Sequence, residues 1–98
     1  MLRDRTELNS IPQLRKFIAQ TLCHENDFEV GVFQITERLL MRAGEPCGIF
    51  FCLHGPRSVK LTAVWETQKN KVLFYGSTGE RFLTTNLETS PELEAVSN

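Results

Sequence analysis

The sequence has no long apolar run, no dense block of one charge and no cysteine framework, and each lack closes off a class of protein. The longest unbroken apolar stretch is about six residues, around 48–53, against the 18 or more of a membrane-spanning helix. No membrane segment is expected. The opening residues, Met1 to Glu7, carry charge with no apolar stretch after it, so no secretory signal is expected. Cys23, Cys47 and Cys52 are an odd number without framework spacing. Free thiols in a reducing cytoplasm are the expectation.

The net charge of −1 hides a mild asymmetry. Residues 1–44 carry six basic and six acidic side chains, and residues 45–87 carry five basic against three acidic. The final stretch, 88–98, holds only Glu88, Glu92 and Glu94. Phosphate neutralisation needs a dense Lys/Arg stripe, and none is present. Nucleic acid is not an expected partner.

What is present is the composition of a globular chain. Of its 98 residues 41% are apolar and 23% charged, which is ordinary for a folded domain and unlike a disordered one. A chain of this length buries roughly two-thirds of its unfolded surface, enough for one core without metal or disulfide. A single domain over 1–98 is expected, with an ordered core at about 10–87. Residues 88–98 are expected as a disordered acidic tail, and residues 1–9 as loose.

Ser10, Pro12 and Gln13 form a helix start, with a cap, a first-turn proline and the second half of a capping box. Ile11, Leu14, Ile18 and Leu22 follow at helical spacing with Phe17 beside them, predicting an amphipathic helix over 10–25. Asn26 and Glu29 suggest a second start. Phe28, Val32, Ile35 and Leu39 then share a helical face, widened by Leu40 and Ala43, and Gly44 and Pro46 close it. A second helix is the preferred reading. The β-branched and aromatic residues of 28–35, with Gly31 among them, give a short strand before a helix from Phe33 as the alternative.

The second half alternates. Ile49, Phe51 and Leu53 stand opposite Phe50, Cys52 and His54, and Val59, Leu61, Ala63 and Trp65 opposite Lys60, Thr62, Val64 and Glu66. Val72 and Phe74 stand opposite Leu73 and Tyr75, and a further strand is expected over 81–87. Turns at 55–58, 68–70 and 76–79 are short, which implies antiparallel neighbours. The predicted fold is α+β, with two N-terminal helices packed on one face of a three- to four-stranded antiparallel meander.

That arrangement leaves a second sheet face that is not fully polar. Phe50, Cys52, Val64, Leu73 and Tyr75 stand on it among Lys60, Thr62 and Glu66. An aromatic cluster on an uncovered face calls for a partner, and a second copy of the chain is the commonest one. A non-enzymatic binding or assembly module using this face, as a homodimer or with another protein, is the favoured function.

Two other constellations compete with it. Cys47, Cys52 and His54, with Cys23 and His24 more distant, hold enough sulfur and imidazole donors for a metal- or thiol-dependent protein, but the spacing is not that of a zinc knuckle. No metal or other cofactor is therefore assigned. A Cys52–His54 nucleophile pair would sit about 7 Å apart along a strand, against the roughly 3 Å that a hydrogen-bonded pair requires. His54, Arg57 and Arg81 lie in or beside turns at one end of a meander and form a candidate small-anion site. Gly76, Ser77, Thr78 and Gly79 read as a hairpin turn, since the Gly-Lys-Ser/Thr ending of a phosphate loop is missing. No paired carboxylates or Ser/His/Asp set points to an enzyme.

Overall fold

The structure, a computed structural model, describes residues 8–91. It is an α+β domain of one helix and one sheet, with elements in the order α1 (Ile11–Glu25), β1 (Gln34–Arg42), β2 (Glu45–His54), β3 (Lys60–Glu66), β4 (Lys71–Tyr75) and β5 (Arg81–Asn86). The sheet is antiparallel throughout, and its spatial order β1-β2-β3-β4-β5 follows the chain. Among the described residues, no helix is long and apolar enough to cross a membrane.

The first helix forms where its signals placed it. The Ser10 hydroxyl accepts from the Gln13 N–H at 3.3 Å, and Gln13 Oε1 accepts from the Asn9 N–H at 2.7 Å. This is a capping box whose return bond falls one residue early. Ile11, Leu14, Ile18 and Leu22 are buried, and α1 lays that stripe on Ile49, Phe51 and Leu53 of β2, Leu61, Ala63 and Trp65 of β3, and Val72 and Phe74 of β4. Phe17 meets Phe74 edge to face at 5.9 Å. These sheet residues are the ones whose alternation marked them for the core, so the sheet faces the helix in the expected sense.

The second helix is corrected. Residues 26–33 form a connecting loop and residues 34–42 form β1, an edge strand paired along β2 from Gln34↔His54 to Arg42↔Glu45. Neither the helix nor the strand-then-helix alternative describes this segment. Asp27 and Gly31 have φ of 57° and 92°, which interrupts a right-handed helix twice. Without β1, the outer edge of β2 would also leave a row of backbone groups unpaired. Phe28 and Phe33 fold back onto each other, ring centroids 5.0 Å apart, and against the core. The helical spacing of Phe28, Val32, Ile35 and Leu39 is thus coincidental, and Val32 is 59% exposed.

Ala43, expected on the face of the second helix, and Gly44, expected to close it, are the two central residues of the β1–β2 hairpin, with φ of 52° and 80°. Positive φ at both positions is the signature of a type I′ turn. The five-stranded sheet replaces the expected three or four strands because β1 joins the strands expected in the second half of the chain. Gly48 has a strict role beside Trp65: a Cβ there would stand 2.3 Å from the Trp65 carbonyl oxygen, so a side chain would force β2 and β3 apart.

The first and last described residues close the core from below. Leu8 and Leu87 are each 8% exposed, and Pro91 is buried. The Thr89 hydroxyl donates to the Leu8 carbonyl at 2.9 Å. Asn70 Oδ1 accepts from the indole N–H of Trp65 at 3.1 Å, and its amide nitrogen donates to the carbonyls of Leu87 and Thr89. Residues 88–91, assigned to a loose tail from composition, are anchored by these contacts. The remainder of that expectation, 92–98 and 1–7, lies outside the described residues.

Candidate functional site

The register sets the side chains of the face away from α1 into rows across the strands. Arg38, Phe50, Val64, Leu73 and Thr84 make one row, and Thr36, Cys52, Thr62, Tyr75 and Arg81 the next. Beyond the first row stand Leu40, Gly48, Glu66, Lys71 and Asn86, and beyond the second stand Gln34, His54 and Lys60. All five expected surface residues, Phe50, Cys52, Val64, Leu73 and Tyr75, therefore lie together. Phe50, Val64 and Tyr75 are half-buried, while Cys52 and Leu73 are shielded by their neighbours to 9% and 6% exposure. Among the described residues, no helix or strand forms a second layer over this face.

Two hollows open on this face, one lined in part by Val64 and the other in part by Phe50. One, of about 310 Å³, lies towards Leu40, Cys47, Glu66 and Lys69. The other, of about 370 Å³, lies towards Thr36, Arg38, Cys52, His54, Lys60 and Thr62. In the second, the Arg38 guanidinium carbon stands 5.7 Å from the centre of the Phe50 ring, within the range of a cation–π contact. The Thr36 hydroxyl and His54 Nε2 are 3.0 Å apart. A hydroxyl beside an imidazole resembles half of a nucleophile–base pair, but among the described residues no carboxylate holds the other ring nitrogen, and the orienting third group is missing.

The remaining candidates are dispersed. Cys47 and Cys52 are five residues apart on one strand, roughly 16 Å, and cannot share an ion. Among the described residues, no three His, Cys, Asp or Glu side chains are placed to hold a metal. Cys23 and His24 sit on α1, across the sheet from Cys52; Cys23 is buried, which pushes its thiol pKa up and keeps it protonated.

His54 is on β2 and Arg81 on β5, three strand spacings or roughly 14 Å apart. Arg57 is exposed in the Pro56–Ser58 turn. The turns share one end of the sheet as expected, and the strand order sets His54 and Arg81 on the second and fifth strands of the sheet. The 76–79 turn is a hairpin, with Gly79 N–H donating to the Gly76 carbonyl and Gly76 N–H to that of Glu80. The Thr78 hydroxyl and backbone N–H groups hold the Glu80 carboxyl below its usual pKa. This carboxylate already occupies the space over Gly76 and would repel a phosphate.

Thr36 and Arg38 were missed because their place beside Cys52 and Phe50 depends on β1 being a strand. The available signal was the alternation of Thr36, Arg38 and Leu40 with Ile35, Glu37 and Leu39. A second overlooked feature lies on the helix side, where Phe17, Phe28, Val30 and Leu83 line a groove of about 560 Å³ between α1, β5 and the 26–33 loop. The chain matches no family model, no curated protein and no solved structure.

Proposed function

We propose that the domain is a non-enzymatic binding and assembly module of a reducing cytoplasm, which pairs with a second copy of itself through the sheet face opposite α1. The observation carrying this reading is the Phe50–Val64–Leu73 row, set side by side on three neighbouring strands with Tyr75 and Cys52 in the next row. Half-buried aromatics in contiguous rows gain by losing water, at roughly 25 cal/mol for each Å² of apolar surface covered.

Shape supports the same reading. The molecule is a slab of 36 × 35 × 23 Å, so each broad face exceeds the roughly 800 Å² per partner of a standard interface. Charge stands at the margins, with Arg38 on one edge, Glu66 and Lys71 at one end, and Lys60 at the other. That is the polar rim of an interface with an apolar centre.

Light scattering at about 100 µM should give twice the 11.2 kDa chain mass. Phe50→Glu, Tyr75→Glu and Leu40→Glu should each return it to monomer with the fold intact by circular dichroism. Met41→Glu, at a residue 54% exposed on edge strand β1, should leave the dimer. A wild-type chain that stays monomeric overturns self-association, and a dimer abolished by Met41→Glu alone moves the interface to the β1 edge.

A further inference from the structure

We propose that the hollow between β1, β2 and β3 binds a small organic oxyanion, a carboxylate or phosphate carried on a flat apolar body about the size of one ring. The inference concerns a ligand and stands whether or not the chain dimerises. It begins with charge. Arg38 on β1 and Lys60 on β3 stand on opposite sides of the hollow, and neither is ion-paired among the described residues. The nearest carboxylate, Glu37, borders the hollow but points to the other side of the sheet, where Arg15 holds it. Two exposed cations therefore border a concavity that, among the described residues, holds no unpaired carboxylate.

Hydrogen-bonding groups converge there too. Thr36 and Thr62 flank Cys52 in one row, so a hydroxyl stands on each side of the floor. The Thr36 hydroxyl engages His54 Nε2 and fixes the imidazole across one end. The Thr62 hydroxyl has no partner among the described residues and is free to donate. Arginine, lysine and hydroxyl donors around one concavity suit an oxyanion, because charge-assisted bonds are the stronger ones.

The floor sets the rest of the ligand. Phe50 offers a half-buried ring and Cys52 a thiol that is 9% exposed, both apolar in character. A volume of about 370 Å³ lies at the small end of ligand cavities, room for a single ring with its acid group. Two cations in one hollow on a chain of net charge −1 do not make a track for a polyanion.

Amide chemical shifts test this with four probes: phenyl phosphate, benzoate, inorganic phosphate and phenol. Phenyl phosphate and benzoate should move the amides of Thr36, Cys52, His54, Lys60 and Thr62 along one saturable curve, and their relative affinities decide between phosphate and carboxylate. Phenol, without charge, and inorganic phosphate, without a ring, should bind more weakly. Lys60→Gln or Arg38→Gln should each weaken phenyl phosphate about threefold to fivefold, the scale of one exposed charge pair. Each titration is repeated on Leu40→Glu, which lies beyond Phe50 and outside the hollow. If a second copy covers the hollow, wild type is silent and Leu40→Glu binds, which supports the site. Silence in both, shifts scattered over Lys16 and Lys69, or affinity unchanged by Lys60→Gln overturns it whatever the mass measurement gives.

Discussion

Asn70 joins three parts of the fold through its side chain, the β3 tryptophan, Leu87 and Thr89. It adopts φ of 50° in the β3–β4 turn, a conformation that asparagine tolerates better than most residues. Its side chain accepts from the Trp65 indole and donates to two carbonyls of the C-terminal segment, while its own carbonyl accepts from the Leu87 N–H at 3.0 Å. Trp65 is 1% exposed, so removing the acceptor strands a donor where water does not reach. Asn70→Ala should therefore cost about 2–4 kcal/mol in urea unfolding, the sum of an orphaned indole and two lost bonds. Asn70→Asp keeps the acceptor for Trp65 but sets a carboxylate against two carbonyl oxygens, and should also destabilise. A loss below about 0.5 kcal/mol for both variants, the ordinary range for a surface substitution, would remove the clamp.

At the scale of elements, the β1–β2 hairpin shows what a sequence reveals and what it conceals. Strands β2 to β4 were legible because residues of the two faces alternate, as Leu61, Ala63 and Trp65 do against Thr62 and Val64, and β5 was legible only from the 76–79 turn before it. The helix α1 was legible from Ser10, Pro12 and its stripe. β1 was not, since Ile35 and Leu39 fit a helical spacing as well as a strand, and pairing with β2 rather than local preference decides between them. The site inherited the error: Phe50, Cys52 and His54 were read correctly to one face, but Arg38 and Thr36 reach them only across that ladder. The turn itself is also atypical. A type I′ turn prefers Asn-Gly, and this chain has Ala43 at φ 52° followed by Gly44. Ala43→Asn should relieve part of that strain and stabilise the fold by about 0.5–1 kcal/mol, below the roughly 1–3 kcal/mol that holding a residue in the left-handed region costs, because asparagine carries some of that cost too. A urea midpoint that is unchanged or lower would show that Ala43 is not strained.

Across the described residues, every strand neighbours the next in sequence, so the sheet assembles from local hairpins, while α1 and the segments around Leu8 and Leu87 meet it from afar. The segments around Leu8 and Leu87 meet at the floor of the core. Leu8 and Leu87 are buried there, Thr89 bonds to the Leu8 carbonyl, and Asn70 bonds to Leu87 and Thr89. This seal stands on the α1 side of the sheet, apart from the face proposed for association. Ending the chain after Asn86 should therefore lower stability while leaving the Phe50–Val64–Leu73 rows in register. The cost is expected at roughly 3–5 kcal/mol, combining one buried leucine with the bonds of Asn70 and Thr89, a large fraction of the 5–15 kcal/mol typical of a domain. Leu87→Ala should account for about 2–3 kcal/mol of it. The test is urea unfolding of the full chain, the truncation and Leu87→Ala. Equal midpoints for the three would mean that the core closes without its C-terminal segment, and that α1 and the five strands suffice to exclude water from Trp65.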